Sequence, residues 1–336
     1  MAIQKTFGLA LKIAVFGLVL VFSNVFAQNA QNQKLAEVRL SGPGAFLSLP
    51  LIYMAESGAL NDIAEKTTFQ LWKNPDQLRL FVLDQKTDFI ALPSNVAANL
   101  YNRGVPLKLV NIAAWGGLWL VSRRENVAHL ADLKNEEIAI PFRGDMPDIL
   151  FELNAAKENL NVQKDFKIRY LANIFDALQL LILRQVDHAL LPDPAASMAL
   201  EKSQSLPVSV IAPKLYKALR FETLLKENFN NQKLPQAGIA AVNHAAQNFA
   251  LQNRIYAEYK KALAFCEENA ATCAKMMMKY APMLSTNVVV ESLKSRDLNP
   301  QKTADVASDL KDFFLLLNQQ NPKLIGGKMP DDSFFE

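Results

Sequence analysis

The sequence predicts an α/β protein built as two similar lobes. Three observations carry this expectation. Short β-rich runs alternate with helical stretches from residue 37 onward, the alternation restarts after about residue 118, and one segment echoes another. Such alternation is the signature of βαβ units and a largely parallel sheet. The echo lays Phe81–Tyr101 on Leu180–Leu200 without gaps. Asp88, Leu92, Pro93 and Ala97 recur there as Asp187, Leu191, Pro192 and Ala196. Each copy reads helix, strand, Leu-Pro corner, helix.

Composition narrows the function. Half of the 336 residues are apolar and 21% are charged, which is globular rather than disordered or fibrous. Lys and Arg number 36 against 33 Asp and Glu, a net charge of +3. That gives no support for nucleic-acid binding, which normally shows a marked basic excess. Three His and two Cys leave little material for a zinc site, and no metal or cofactor is expected.

The elements follow in order. Lys5 and Lys12 precede the apolar run Ile13–Phe22, and Ser23-Asn24-Val25-Phe26-Ala27 closes it. A cationic start, a short apolar stretch and a small residue at the end form a secretory signal over residues 1–27, cleaved after Ala27. The run is too short to span a bilayer. No cysteine lies near the cleavage point, so the product is unlipidated, and a periplasm is the expected compartment. Residues 28–35 read as a flexible leader.

Glu37–Ser41 reads as a strand, and Leu49–Glu56 as a helix with Ser48 placed to cap it and Gly58 to end it. Thr68–Trp72, Asp88–Leu92 and Leu107–Ile112 read as strands, with a helix at Pro75–Asp84. Leu118–Ser122 reads as a bridging strand. The second lobe then gives strands at Glu137–Ile140, Lys167–Leu171 and His188–Leu191, with helices at Asp148–Ala156 and Asp176–Leu183. Ala237–Val242 reads as a second bridge, and the chain from Asn243 is mostly helical. Ligands in open α/β sheets sit beyond the carboxyl ends of the strands. Two facing lobes therefore place the echoing Leu-Pro corners on opposite walls of one cleft.

Three segments, in this order, resemble the periplasmic solute-binding proteins of ABC importers, in the branch for nitrate, sulfonates, taurine and thiamine-pyrimidine precursors. Leu49-Pro50-Leu51-Ile52-Tyr53-Met54-Ala55-Glu56-Ser57-Gly58-Ala59-Leu60 resembles the family's opening helix. Asp132–Pro141 resembles its DLKGKKIAVP step, and Asp187–Leu200 its EPAASMAL segment. Asn135 replaces the usual Gly, Asp193 the usual Glu, and the Pro50 motif lacks its usual Ala. The resemblance implies a two-lobed periplasmic-binding-protein type II fold with two mixed sheets and two hinge strands, Leu118–Ser122 and Gly238–Val242. Lobe 1 is then residues 36–118 and 243–336, and lobe 2 residues 119–242. It also implies capture of a small polar solute, anionic or zwitterionic, by lobe closure. The partners are an inner-membrane ABC permease and its ATPase, the chain being a monomer.

The candidate ligand residues are Gly44, Phe46, Ser94, Asn95, Trp115, Arg143, Gly144, Asp145 and Asp193. Gly144–Asp148 follows a strand and opens a helix, where backbone N–H groups attract anions. Arg143 beside it offers a bidentate partner. Alternatively Asp145 only caps that helix and Arg143 is solvated. Asp193 before Pro194 either caps a helix, faces the ligand, or does both. The Trp115-Gly116-Gly117 turn and the Ser41–Phe46 corner offer an aromatic wall and close backbone approach, or simple packing and chain reversal. Cys266 and Cys273 are too far apart in one straight helix to bond. A disulfide requires a break between them, for which Asn269 is a plausible cap. No nucleophile–base constellation is present, so no catalytic residue is assigned. Two other functions fit the same scaffold: an enzyme of the thiamine-pyrimidine type, disfavoured because its Cys-rich motif is missing, and a stand-alone sensory binding protein.

Overall fold

A computed structural model describes residues 34–205, 214–294 and 298–336. The signal segment and all but the end of the leader lie outside the described residues. Leu35 already belongs to the first strand, so the leader is shorter than expected.

Two mixed sheets form the frame. The chain runs through β1 (Leu35–Gly42), α1 (Leu49–Ser57), β2 (Ala64–Leu71), α2 (Pro75–Leu83), β3 (Phe89–Pro93), α3 (Ser94–Asn102) and β4 (Leu107–Ala114). It then crosses to β5 (Leu118–Ser122), β6 (Glu137–Pro141), α4 (Met146–Lys157), α5 (Val162–Asp165), β7 (Lys167–Leu171) and α6 (Ile174–Ile182). β8 (His188–Pro192), α7 (Ala195–Gln204), β9 (Tyr216–Arg220) and α8 (Phe221–Asn228) follow. The return strand β10 (Ala237–Val242) leads into α9 (Phe249–Glu268), α10 (Ala270–Tyr280), α11 (Thr286–Leu293), β11 (Leu298–Lys302) and α12 (Ala307–Gln320).

The first sheet has the order β11-β4-β10-β3-β1-β2 and the second β7-β6-β8-β5-β9. β1, β2 and β3 pair in parallel, as do β6, β7 and β8. β10 runs antiparallel between β3 and β4, and β5 antiparallel between β8 and β9. Each expected bridge is thus a strand of one sheet only. Leu118–Ser122 belongs to the second sheet, and Ala237–Val242 to the first, although the expected second lobe extended to residue 242. The crossings are residues 115–117 and the stretch between α8 and β10.

Burial explains why the strands read as apolar runs. Sheets covered on both faces bury both sets of alternating side chains. Leu40, Phe89, Ala91, Ile239, Ala139 and Leu191 join one apolar cluster. Their strand neighbours Ile90, Leu92, Ala240, Ile138, Ile140 and Leu190 join the other. Each cluster therefore draws on both sheets.

Local chemistry sets the ends. Gly58, at φ 72°, closes α1 in the left-handed conformation that glycine tolerates. Asn74 and Asn173 cap α2 and α6 by accepting from Gln77 N and Asp176 N. Ser48 does not cap α1. Its own backbone is helical, and its hydroxyl donates to the Pro43 carbonyl at 2.6 Å. β9, α8 and β11 were not expected from sequence. β11 is polar and contains Pro300, which an edge strand accommodates.

Candidate ligand-binding cleft

The strand ends of the two sheets face one another across a cleft of about 960 Å³, counting its mouth. The first sheet contributes Pro43, Phe46, Trp72, Pro93 and Ala114. The second contributes Phe142, Met146, Ile174, Pro192 and Asp193. The two Leu-Pro corners therefore stand on opposite walls. Gly116, Gly117 and Gln236 come from the two crossings. Leu263 and Glu267 of α9, with Ser292 and Leu293 of α11, also line it.

The walls are mostly apolar and tightly held. Trp72 donates its indole N–H to the Ala91 carbonyl at 3.0 Å, which locks the ring against the first sheet. Phe142 from the second sheet reaches to 6.1 Å from it, ring centre to ring centre. Phe142 carries φ 63°, a left-handed conformation rare for a bulky residue and characteristic of functional sites.

Asp193 lines the cleft, and its carboxylate is fully engaged. Oδ1 accepts from the backbone N and the hydroxyl of Ser197, at 3.0 and 2.7 Å. Oδ2 accepts from Trp119 Nε1 at 3.1 Å and Lys217 Nζ at 2.7 Å. Asp193 thus caps the first turn of α7 and pairs with Lys217, which also lies over the Trp119 ring. β9, which delivers Lys217, was the missing signal.

The expected residues do not all converge here. Phe46 joins Asp193 in the lining. Gly44 lines an adjoining cavity with Phe175, whose ring would lie 2.9 Å from any added Cβ. Ser94 is buried and donates to the Pro235 carbonyl at 2.6 Å, tying α3 to the return crossing. Trp115 stands outside the lining and donates to the Asn299 carbonyl at 2.9 Å. Arg143 is exposed and stacks over Tyr170, 4.9 Å from the ring centre, so the expected anion clamp is absent from the cleft.

Asn95, Gly144 and Asp145 line a separate pocket with Arg79, Arg103 and Lys323. Asp145 occupies the cap position of α4 without bonding its backbone, and instead pairs with Arg79 at 3.6 Å. Burial pushes its carboxyl up to about 6, against the pull of Arg79. Asp148 takes the local bonds, accepting from Gly144 N at 2.8 Å and from Tyr170 Oη at 3.0 Å.

Cys266 and Cys273 form a disulfide, their Cα atoms 5.5 Å apart, across the break between α9 and α10 at Asn269. Among the described residues no group of three or more His, Cys, Asp or Glu is placed to hold a metal ion.

Two mixed sheets with a cleft between facing strand ends make this the two-lobed fold of periplasmic binding proteins. It is similar to an ABC transporter protein from Parabacteroides distasonis at 19% identity and TM-score 0.72, over 90% of this chain and 99% of that one. The periplasmic aliphatic sulphonate binding protein SsuA from Escherichia coli is 16% identical, with TM-score 0.66 over 88% and 92%. The periplasmic nitrate-binding protein NrtA from Synechocystis PCC 6803 is 10% identical, with TM-score 0.60 over 80% and 74%. At these identities the shared property is the fold. No protein-family model matches the sequence, and no curated protein matches it.

Proposed function

We propose that this protein is the periplasmic solute-binding component of an ABC importer. It captures a small organic solute between its lobes, as a monomer, and releases it unchanged to an inner-membrane permease. The observation that carries this reading is the cleft between the facing strand ends, walled by residues of both sheets. Only lobe closure completes such a wall, which is how hinged binding proteins trap their solutes.

Three further features support it. The first residues have the pattern of an export signal. The disulfide suits an oxidising compartment. Among the described residues no helix is long and apolar enough to cross a membrane. A binding role rather than catalysis fits the lining, which contains no His or Cys and whose one buried carboxylate is already engaged.

Native mass spectrometry of the protein expressed with its leader and recovered from the periplasm tests this. The expected result is the mature mass plus a small adduct, released intact on unfolding. A bare protein that takes up nothing from a whole-cell metabolite extract overturns the reading.

A further inference from the structure

We infer that the solute is uncharged, with a flat, mainly apolar body and one N–H or O–H donor directed at Gln236. This rests on the binding function proposed above and names the chemistry of the same cleft. It differs from the anionic or zwitterionic solute expected from sequence.

The first ground is the charge of the lining. Among the described residues no Lys, Arg or His walls the cleft. Arg143, the cation expected there, lies exposed over Tyr170. The negative charge of Asp193 is balanced by Lys217, and all its acceptor positions are filled from within the protein. Glu267, exposed at the rim, opposes an entering anion.

The helix starts lead to the same result. The openings of α4 and α7 point their backbone N–H groups toward the strand ends, which ordinarily favours an anion. Here each start carries its own carboxylate. Asp193 accepts from Ser197 N at α7, and Asp148 accepts from Gly144 N at α4. Asp145 stands at the α4 cap position besides. An anion would meet partial charges that are already compensated.

The second ground is the shape and an unspent polar atom. The Trp72 and Phe142 rings meet at 6.1 Å between centres, and with Phe46, Met146 and Leu118 they give the cleft an aromatic, apolar lining suited to a flat apolar body. Gln236 lines the cleft, and its Oε1 is buried and accepts no hydrogen bond. A buried acceptor without a partner carries a desolvation cost, which a solute donor removes. The main chain of Gln236 is held on both sides, N to the Ala114 carbonyl and O to Ser94 N, so the amide springs from a fixed point.

Isothermal titration of the purified mature protein, freed of copurified solute by unfolding and refolding, tests this with four small probes. Benzamide is neutral and carries an N–H donor. Acetophenone has nearly the same shape without the donor, and benzoate and benzenesulfonate are anions on the same ring. Benzamide is expected to bind at least about tenfold more tightly than either anion and more tightly than acetophenone. Gln236→Leu is expected to abolish the benzamide–acetophenone difference while leaving acetophenone binding in place, a readout that general loss of folding does not produce. An anion binding as tightly as benzamide, no binding of benzamide, or a preference that survives Gln236→Leu each overturns the inference. A copurified solute in the native spectrum alongside any of these leaves the binding function standing, whereas its absence removes that function too.

Discussion

Asp145 shows how one side chain couples the two halves to pH. It sits on the second-sheet side of the small polar pocket and pairs with Arg79 from α2. Its carboxyl is near 6 in the folded protein and 3.8 when unperturbed, so between those values the folded state binds more protons than the unfolded one. Stability therefore falls as pH rises through this window and levels off above it. The change is on the order of 3 kcal/mol. Asp145→Asn is expected to flatten it, measured as the urea midpoint at intervals between pH 4 and 7; an unchanged slope in the variant contradicts the assignment. Asp193 is a different case. Asp193→Ala leaves Trp119 Nε1 without its acceptor and Lys217 without its ion-pair partner, an expected loss of about 2–3 kcal/mol in the same assay. Arg143→Ala is expected to leave solute affinity within about twofold, because the guanidinium lies outside the cleft. The echoing corners and Asp193 were legible in the sequence because cap-and-Pro spacing is local. The partners of Asp145, Asp193 and Arg143 were not, since they lie on other elements. Asn135, where glycine was expected, has φ 67°, a conformation asparagine adopts more readily than most residues, so that departure costs the fold little.

At the scale of elements, β10 depends on one missing side chain. It threads between β3 and β4, and a Cβ on Gly238 would lie 1.8 Å from the Asn111 carbonyl oxygen. Gly238→Ala is expected to destabilise by at least about 3 kcal/mol, seen as a lowered denaturant midpoint or as insoluble protein, since the clash is with backbone. The α9–α10 junction depends on its disulfide. Replacing both Cys266 and Cys273 by Ala is expected to cost about 2 kcal/mol, a small figure because the closed loop is short. Most strands and helices could be read in advance, because doubly covered strands form continuous apolar runs and Asn or Gly marks many helix ends. β9 escaped because Tyr216–Arg220 flanks the second sheet with mixed polar and apolar residues. β11 escaped because pairing with β4, and not its own propensity, makes Leu298–Lys302 a strand.

The whole molecule is two half-walls in contact. Gly44 of one half lies against the Phe175 ring of the other, and an added side chain meets that ring. Gly44→Leu is expected to wedge the halves apart, weakening solute binding about tenfold or more while changing the denaturant midpoint little. Small-angle scattering of this variant is expected to show a larger radius of gyration with solute present than the parent protein shows. A variant as compact as the parent refutes the wedge. The pairing of Ala114 with Ala237 has a broader consequence. The polypeptide leaves the first sheet and comes back to it on neighbouring strands, so everything between is joined to it covalently at two adjacent crossings, and both ends of the described chain remain with the base. Such a module is exchangeable. Swapping it for that of a distant cousin would renew half of the recognition surface through only two splice points, provided the contacts of α7 with α11 and the Arg79–Asp145 pair are kept.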